Sequence, residues 1–105
     1  MKRVNVFLRA WAIKKQYPQF TFRKALKIAW RAEKLVSNMR GGNVIEFVYV
    51  KSDGTIRIAK GTVNDTLAES IFRGLSEKER VCVTYFDVEK ESYRRFRATQ
   101  LVQIF

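Results

Sequence analysis

The sequence predicts an α+β domain: two N-terminal helices, then five short antiparallel strands, with a short helical insertion before the third strand. Three observations predict it. Apolar residues recur at helical spacing over residues 4–39. The period switches to alternation directly after Gly41-Gly42. Turn signals then cut the rest of the chain into segments of strand length. With 105 residues, 47% of them hydrophobic and a single proline, the chain has the composition of a folded protein with one modest core.

In the first helix Val4, Phe7, Leu8 and Trp11 fall at i, i+3, i+4 and i+7 and make one apolar stripe, and Pro18 ends the segment. In the second, Thr21 is placed as the N-cap. Phe22, Ala25, Leu26, Ala29, Val36 and Met39 follow at helical spacing, and Arg23, Lys27, Arg31 and Lys34 line the other side with Lys24 beside them. Gly41-Gly42 supplies a C-cap and a hinge. Trp11 and Trp30 lie on or beside the apolar stripes, so packing in the core or between the helices is expected. A ring exposed beside lysines would instead offer a base-stacking surface.

NVIEFVYVK opens the strands, with Ile45, Phe47 and Tyr49 alternating. Ser52-Asp53-Gly54-Thr55 is a hairpin signal. TIRIAKGTV answers it, with Ile56 and Ile58 on one side and Arg57 on the other. RVCVTYFD, SYRRFRA and LVQIF are the third to fifth strands, and Asp87-Val88-Glu89-Lys90-Glu91 is the turn between the third and fourth. Between the second and third strands Thr66 and Glu69 form a capping box and Gly74 closes a short helix, whose Leu67, Ile71 and Phe72 face could plug one end of a barrel. Five strands of this length joined mostly by tight turns suit a small SH3-like or Sm-like barrel. The organisation expected is a basic helical extension over residues 1–42 and a barrel over 43–105.

The net charge of +11 is unevenly placed. Residues 1–42 hold eleven Lys/Arg and one acid, Glu33, whereas residues 43–105 hold ten Lys/Arg and nine Asp/Glu. Such concentration points to a polyanionic or acidic partner, where scattered charge would serve solubility alone. Along the second helix the spacing of Arg23, Lys27, Arg31 and Lys34 puts neighbouring charges about 5–6 Å apart, near the phosphate spacing of one nucleic-acid strand. The solvent face of an ordinary amphipathic helix would mix signs. In YRRFR, Phe96 should point inward and leave Tyr93, Arg95 and Arg97 on the outer row. Arginine forks beside an aromatic ring suit phosphate contact and base stacking. Cross-strand pairing with the acids of the 87–91 turn is the alternative.

Several chemistries are disfavoured. There is no histidine, and Cys82 is the lone cysteine, so no zinc site is expected. Cys82 lies among valines and reads as a buried structural thiol. No glycine opens a phosphate-loop motif, and Asp87, Glu89 and Glu91 read as solvated turn acids. Neither an enzyme nor a cofactor is expected. No apolar run reaches the ~20 residues of a membrane span. The basic start of the chain is interrupted by Arg9 and Lys14-Lys15, unlike a signal peptide, which points to the cytoplasm.

The stretch VTYFDVEKESYRRFRATQL resembles the C-terminal half of a WYL-type domain: an aromatic strand (Tyr85-Phe86-Asp87), a polar turn, and an Arg-Phe-Arg strand (Arg95-Phe96-Arg97) followed by Leu101. VIEFVYVKSDGTIRIAKGTV is similar to the matching first hairpin. At the namesake position the chain reads Thr84-Tyr85-Phe86 in place of Trp-Tyr-Leu. The resemblance is to short, free-standing WYL-like proteins of Sm-like SH3 barrel fold found in phages and mobile elements of gut bacteria. It implies a role for Arg95 and Arg97 in contacting nucleic acid or a nucleotide ligand.

The expected function is a non-enzymatic nucleic-acid-binding accessory protein that grips phosphate through its basic helices. The alternative is an adaptor, host-directed inhibitor or virion component docking on an acidic protein. Edge-strand pairing into a homo-oligomer is open as well.

Overall fold

The computed structural model describes residues 3–63, 76 and 78–105. Helix α1 (Arg3–Gln16) stops two residues before Pro18, where the Tyr17 N–H still donates to the Ile13 carbonyl at 2.8 Å. Helix α2 (Phe22–Met39) starts as its sequence directs: Thr21 Oγ1 accepts from the Lys24 N–H at 3.1 Å. It ends in a single 3-10 turn, Arg40–Gly42, in which Gly41 (φ 78°) and Gly42 (φ 82°) take the left-handed backbone that glycine adopts without steric cost.

Five strands follow: β1 (Ile45–Val50), β2 (Ile56–Thr62), β3 (Cys82–Asp87), β4 (Ser92–Arg97) and β5 (Leu101–Ile104). They form one antiparallel sheet in the order β4-β3-β2-β1-β5, with β4 and β5 as unjoined edges. This is the expected α+β, SH3/Sm-like arrangement with its sheet left open. The β1–β2 hairpin closes through Lys51 and Thr55, with Gly54 at φ 88° and Asp53 Oδ1 accepting from both the Thr55 N–H and hydroxyl. The helical insertion expected around Thr66, Glu69 and Gly74 lies outside the described residues.

Four rings fill the centre of the sheet. Tyr49 stacks on Phe96 at 4.4 Å, and Phe47 meets Tyr85 edge-on at 5.0 Å. The Tyr49 and Tyr85 hydroxyls lie 2.9 Å apart and bond to each other, so neither buried polar tip is orphaned. Burial first, and that bond second, raise the Tyr85 pKa above its ordinary value. Ile13 of α1 and Leu35 and Met39 of α2 belong to the same buried cluster as these rings, so helices and sheet share one core. Alanines at 10, 12, 25, 29 and 32 are all buried, and their small side chains let α1 and α2 approach closely.

Two expectations need correction. The apolar stripe of α1 does not face the core: Val4, Phe7 and Trp11 are each about half exposed, and Leu8 is exposed too. The buried face is instead Asn5, Val6, Arg9, Ala10, Ala12 and Ile13. Arg9 can lie inside because Glu33 of α2 neutralises it, and this turns the larger apolar side chains outward. Trp30 is half-exposed at the margin between α1 and α2 rather than in the core. The second correction concerns Cys82, which is only partly buried. It sits between Val81 and Val83, whose side chains take the inward positions. In β2 the alternation is as expected, but Ile56 and Ile58 point to solvent while Arg57 takes the inner side.

Candidate nucleic-acid interface

The helical secondary structure sorts the cations of α2 onto one face. Arg23, Lys24, Lys27, Arg31 and Lys34 are all exposed. The opposite face, carrying Ala25, Ala29, Ala32, Leu35 and Met39, is buried, with Phe22, Leu26 and Val36 packed against its margins. Two of the cations are oriented by contacts. Lys24 Nζ stands 4.1 Å from the centre of the Phe20 ring, and Arg31 Nη2 donates to the Val102 carbonyl of β5 at 2.7 Å. Among the described residues no carboxylate pairs with any of the five. Glu33, the one acid of residues 1–42, is buried on Arg9 and takes no part in the surface. Among the described residues the helical face is therefore cationic with no paired carboxylate.

Arg9 does more than meet Glu33. Its Nη1 donates to the Arg80 carbonyl at 2.9 Å and to the Cys82 carbonyl at 2.6 Å, which ties α1 to the start of β3. Burial pulls its pKa below the ordinary value, against the opposing charge and hydrogen bond of Glu33. A guanidinium nevertheless keeps its proton at neutral pH.

On β4, Phe96 is buried and Tyr93, Arg95 and Arg97 stand on the outer row as the alternation predicts. Across the β3–β4 ladder Tyr93 opposes Phe86, with ring centres 5.2 Å apart, and Arg95 opposes Thr84. Two acids of the 87–91 turn, Asp87 and Glu89, have other partners, and Asp87 is not the solvated turn acid expected from the sequence. Asp87 is buried, accepts from the Glu89 and Lys90 N–H groups at 3.0 Å each, and pairs with Arg57 at 3.1 Å. Glu89 lies 3.8 Å from Lys60. Burial pushes the Asp87 pKa up, but the Lys90 N–H, the Arg57 guanidinium and the Glu89 N–H together hold it below the ordinary carboxylate value.

A second cationic surface lies between the β1–β2 hairpin and β4. It is a cleft of about 430 Å³ lined among others by Lys51, Asp53, Arg57, Arg94 and Arg95, with Tyr49 and Phe96 also contributing. It opens because β2 pairs with β3 at only two positions, Gly61↔Asp87 and Thr62↔Phe86, so the first part of β2 diverges from its neighbour. The expected site thus comprises two groups on separate elements: five cations along α2, and Tyr93, Arg95 and Arg97 on β4. Lys51 and Arg57 join the adjacent Arg94 and Arg95 through tertiary folding, and no local spacing in the sequence marks those two as neighbours of the β4 arginines.

No helix among the described residues is long and apolar enough to cross a membrane. No curated protein and no solved structure matches the chain. A family model described as WYL_2, Sm-like SH3 β-barrel fold, matches residues 32–102, from the second half of α2 to β5. The open five-stranded sheet with its Tyr85-Phe86 and Arg95-Phe96-Arg97 strands accordingly belongs to a member of the WYL_2 family.

Proposed function

We propose that the protein is a non-enzymatic nucleic-acid-binding accessory factor that holds the phosphate backbone along the exposed face of α2. The observation that carries this reading is the absence of any described acid beside Arg23, Lys24, Lys27, Arg31 and Lys34, on a half of the chain whose one carboxylate is buried. Phosphates would supply the missing countercharge and release their condensed cations on binding, which gives affinity with little sequence preference. Tyr93, Arg95 and Arg97 offer a second contact row on β4. In keeping with the short WYL-like proteins it resembles, the factor would act in the cytoplasm of a bacterium on behalf of a phage or mobile element.

The test is a titration with random-sequence single- and double-stranded DNA and RNA at two salt concentrations. It is run on the natural protein and on a variant carrying Arg23→Glu, Lys27→Glu, Arg31→Glu and Lys34→Glu. Binding that weakens steeply with salt and is lost in the variant is expected. No binding at low salt rejects the reading, and unchanged binding in the variant transfers the site to the barrel.

A further inference from the structure

Helix α1 is apolar on both sides. Val6, Ala10, Ala12 and Ile13 are buried, while Val4, Phe7, Leu8 and Trp11 are exposed on the other side. The exposed side continues onto α2. Trp11 packs on Phe22 with ring centres 4.5 Å apart, and Val6, Phe7, Leu26 and Trp30, with Arg3 at one end, line a groove of about 270 Å³. Helical spacing borders this groove with the basic face: Trp30 has Lys27 three residues before it and Lys34 four after, and Leu26 has Arg23 three before.

We propose that the groove between α1 and α2 docks an amphipathic helical segment of a partner protein whose apolar stripe is flanked by Asp and Glu. Three features select this occupant. The groove is concave, and the exposed apolar side it adjoins runs from Val4 to Trp11, about 10 Å of α1, which accommodates two turns of an incoming helix with anchors at i, i+3/i+4 and i+7. Its margin is cationic and, among the described residues, carries no acid paired with those cations, so a flanking carboxylate gains a countercharge there. A second copy of this chain would bring the same cations face to face, which opposes self-docking. A nucleic acid would use the two indoles and the Phe7 ring but leave Val4, Leu8 and Leu26 without a stacking function. A flat lipid surface would leave the concavity unfilled. The inference stands apart from the polyanion reading, because it rests on the apolar lining and not on the ridge alone.

The test uses the full chain and a synthetic helical peptide of about 14 residues with a leucine stripe flanked by glutamates. The controls are a peptide of the same composition with the stripe scrambled, and one with lysine replacing glutamate. Trp11 and Trp30 are the two tryptophans of the chain, so emission reports on the groove directly. A blue shift with the striped acidic peptide is expected, with binding roughly tenfold or more tighter than the scrambled peptide, and none for the lysine peptide. The variant Phe7→Ser/Trp30→Ala should lose at least about tenfold in affinity while its circular dichroism and its nucleic-acid titration stay unchanged, and Trp11 still reports. A second variant, Val4→Ser/Leu8→Ser, keeps both indoles and should also weaken binding. Equal binding of striped and scrambled acidic peptides overturns the proposal, as does an unchanged emission spectrum. It is also overturned if the shift appears only with anionic phospholipid vesicles, only with oligothymidylate, or only on raising the protein concentration alone.

Discussion

Arg9 of α1 and Glu33 of α2 form a buried ion pair, with Nη2 2.8 Å and Nε 2.9 Å from the same Oε1 and both side chains 3% exposed. The pair sets two properties of the surface at once. It withdraws the one carboxylate of residues 1–42, and it turns the face of α1 that contains Arg9 inward, which leaves Phe7 and Trp11 outside.

Removing one partner strands a buried charge, and Arg9→Met also removes the hydrogen bonds to the Arg80 and Cys82 carbonyls. Either Arg9→Met or Glu33→Met should destabilise the fold by about 3–5 kcal/mol. The double variant Arg9→Met/Glu33→Met should cost markedly less than the sum, because no unpaired charge remains. Urea denaturation of the four proteins measures the coupling. Additive losses would show that the pair acts through packing alone.

Asp87 gives the fold a defined acid limit. Its folded-state pKa is depressed below its unfolded value, so its contribution is fully present above about pH 4 and is lost as pH falls through the folded pKa. Asp87→Asn removes the ion pair with Arg57 and weakens the cap on the 87–91 turn. The variant should be less stable at pH 7 by about 1–3 kcal/mol, and its stability should change less between pH 6 and pH 3. Thermal melts across that range decide it. A pH profile parallel to that of the natural protein would assign the acid limit to other carboxylates.

The elements were legible where chemistry is local. Thr21, Gly41-Gly42, Gly54 and the alternation in SYRRFR each act within a few residues, and each appears where its spacing placed it. The inward face of α1 was not legible, because its periodicity offers two apolar sides. The choice between them depends on Glu33, 24 residues away. A usable signal existed: a single acid within a strongly basic stretch is a candidate for burial on one of its cations. Asp87 was likewise hidden, since a turn acid bonded to Arg57 across the sheet looks no different in sequence from a solvated one.

Gly61 of β2 packs closely against the rings of the core. A Cβ there would lie 2.6 Å from Tyr85 Cδ2 and 3.0 Å from Phe47 Cε1, both inside the ring cluster. Gly61→Ala should therefore cost about 1–3 kcal/mol by forcing the rings off their positions, although alanine is the better residue in a strand by intrinsic preference. Near-ultraviolet circular dichroism should lose its tyrosine signal before the helical signal falls. An unchanged melting temperature would mean that the rings yield without cost.

The two ligand readings share cations, and this gives them a measurable relation. Lys27 and Lys34 belong to the ridge offered to phosphate, and they also flank Trp30 in the groove. An acidic helix seated in the groove would neutralise both, so it should reduce nucleic-acid affinity while bound. It should also lower the slope of log K against log salt by about 2, roughly 0.9 for each phosphate contact removed. Fluorescence anisotropy of a labelled oligonucleotide, titrated with the striped acidic peptide, follows this directly. The Phe7→Ser/Trp30→Ala variant should bind the oligonucleotide normally yet resist displacement. Displacement that is equally strong with the scrambled peptide would reduce the effect to bulk charge, and an oligonucleotide bound unchanged beside the peptide would place the two sites on separate faces.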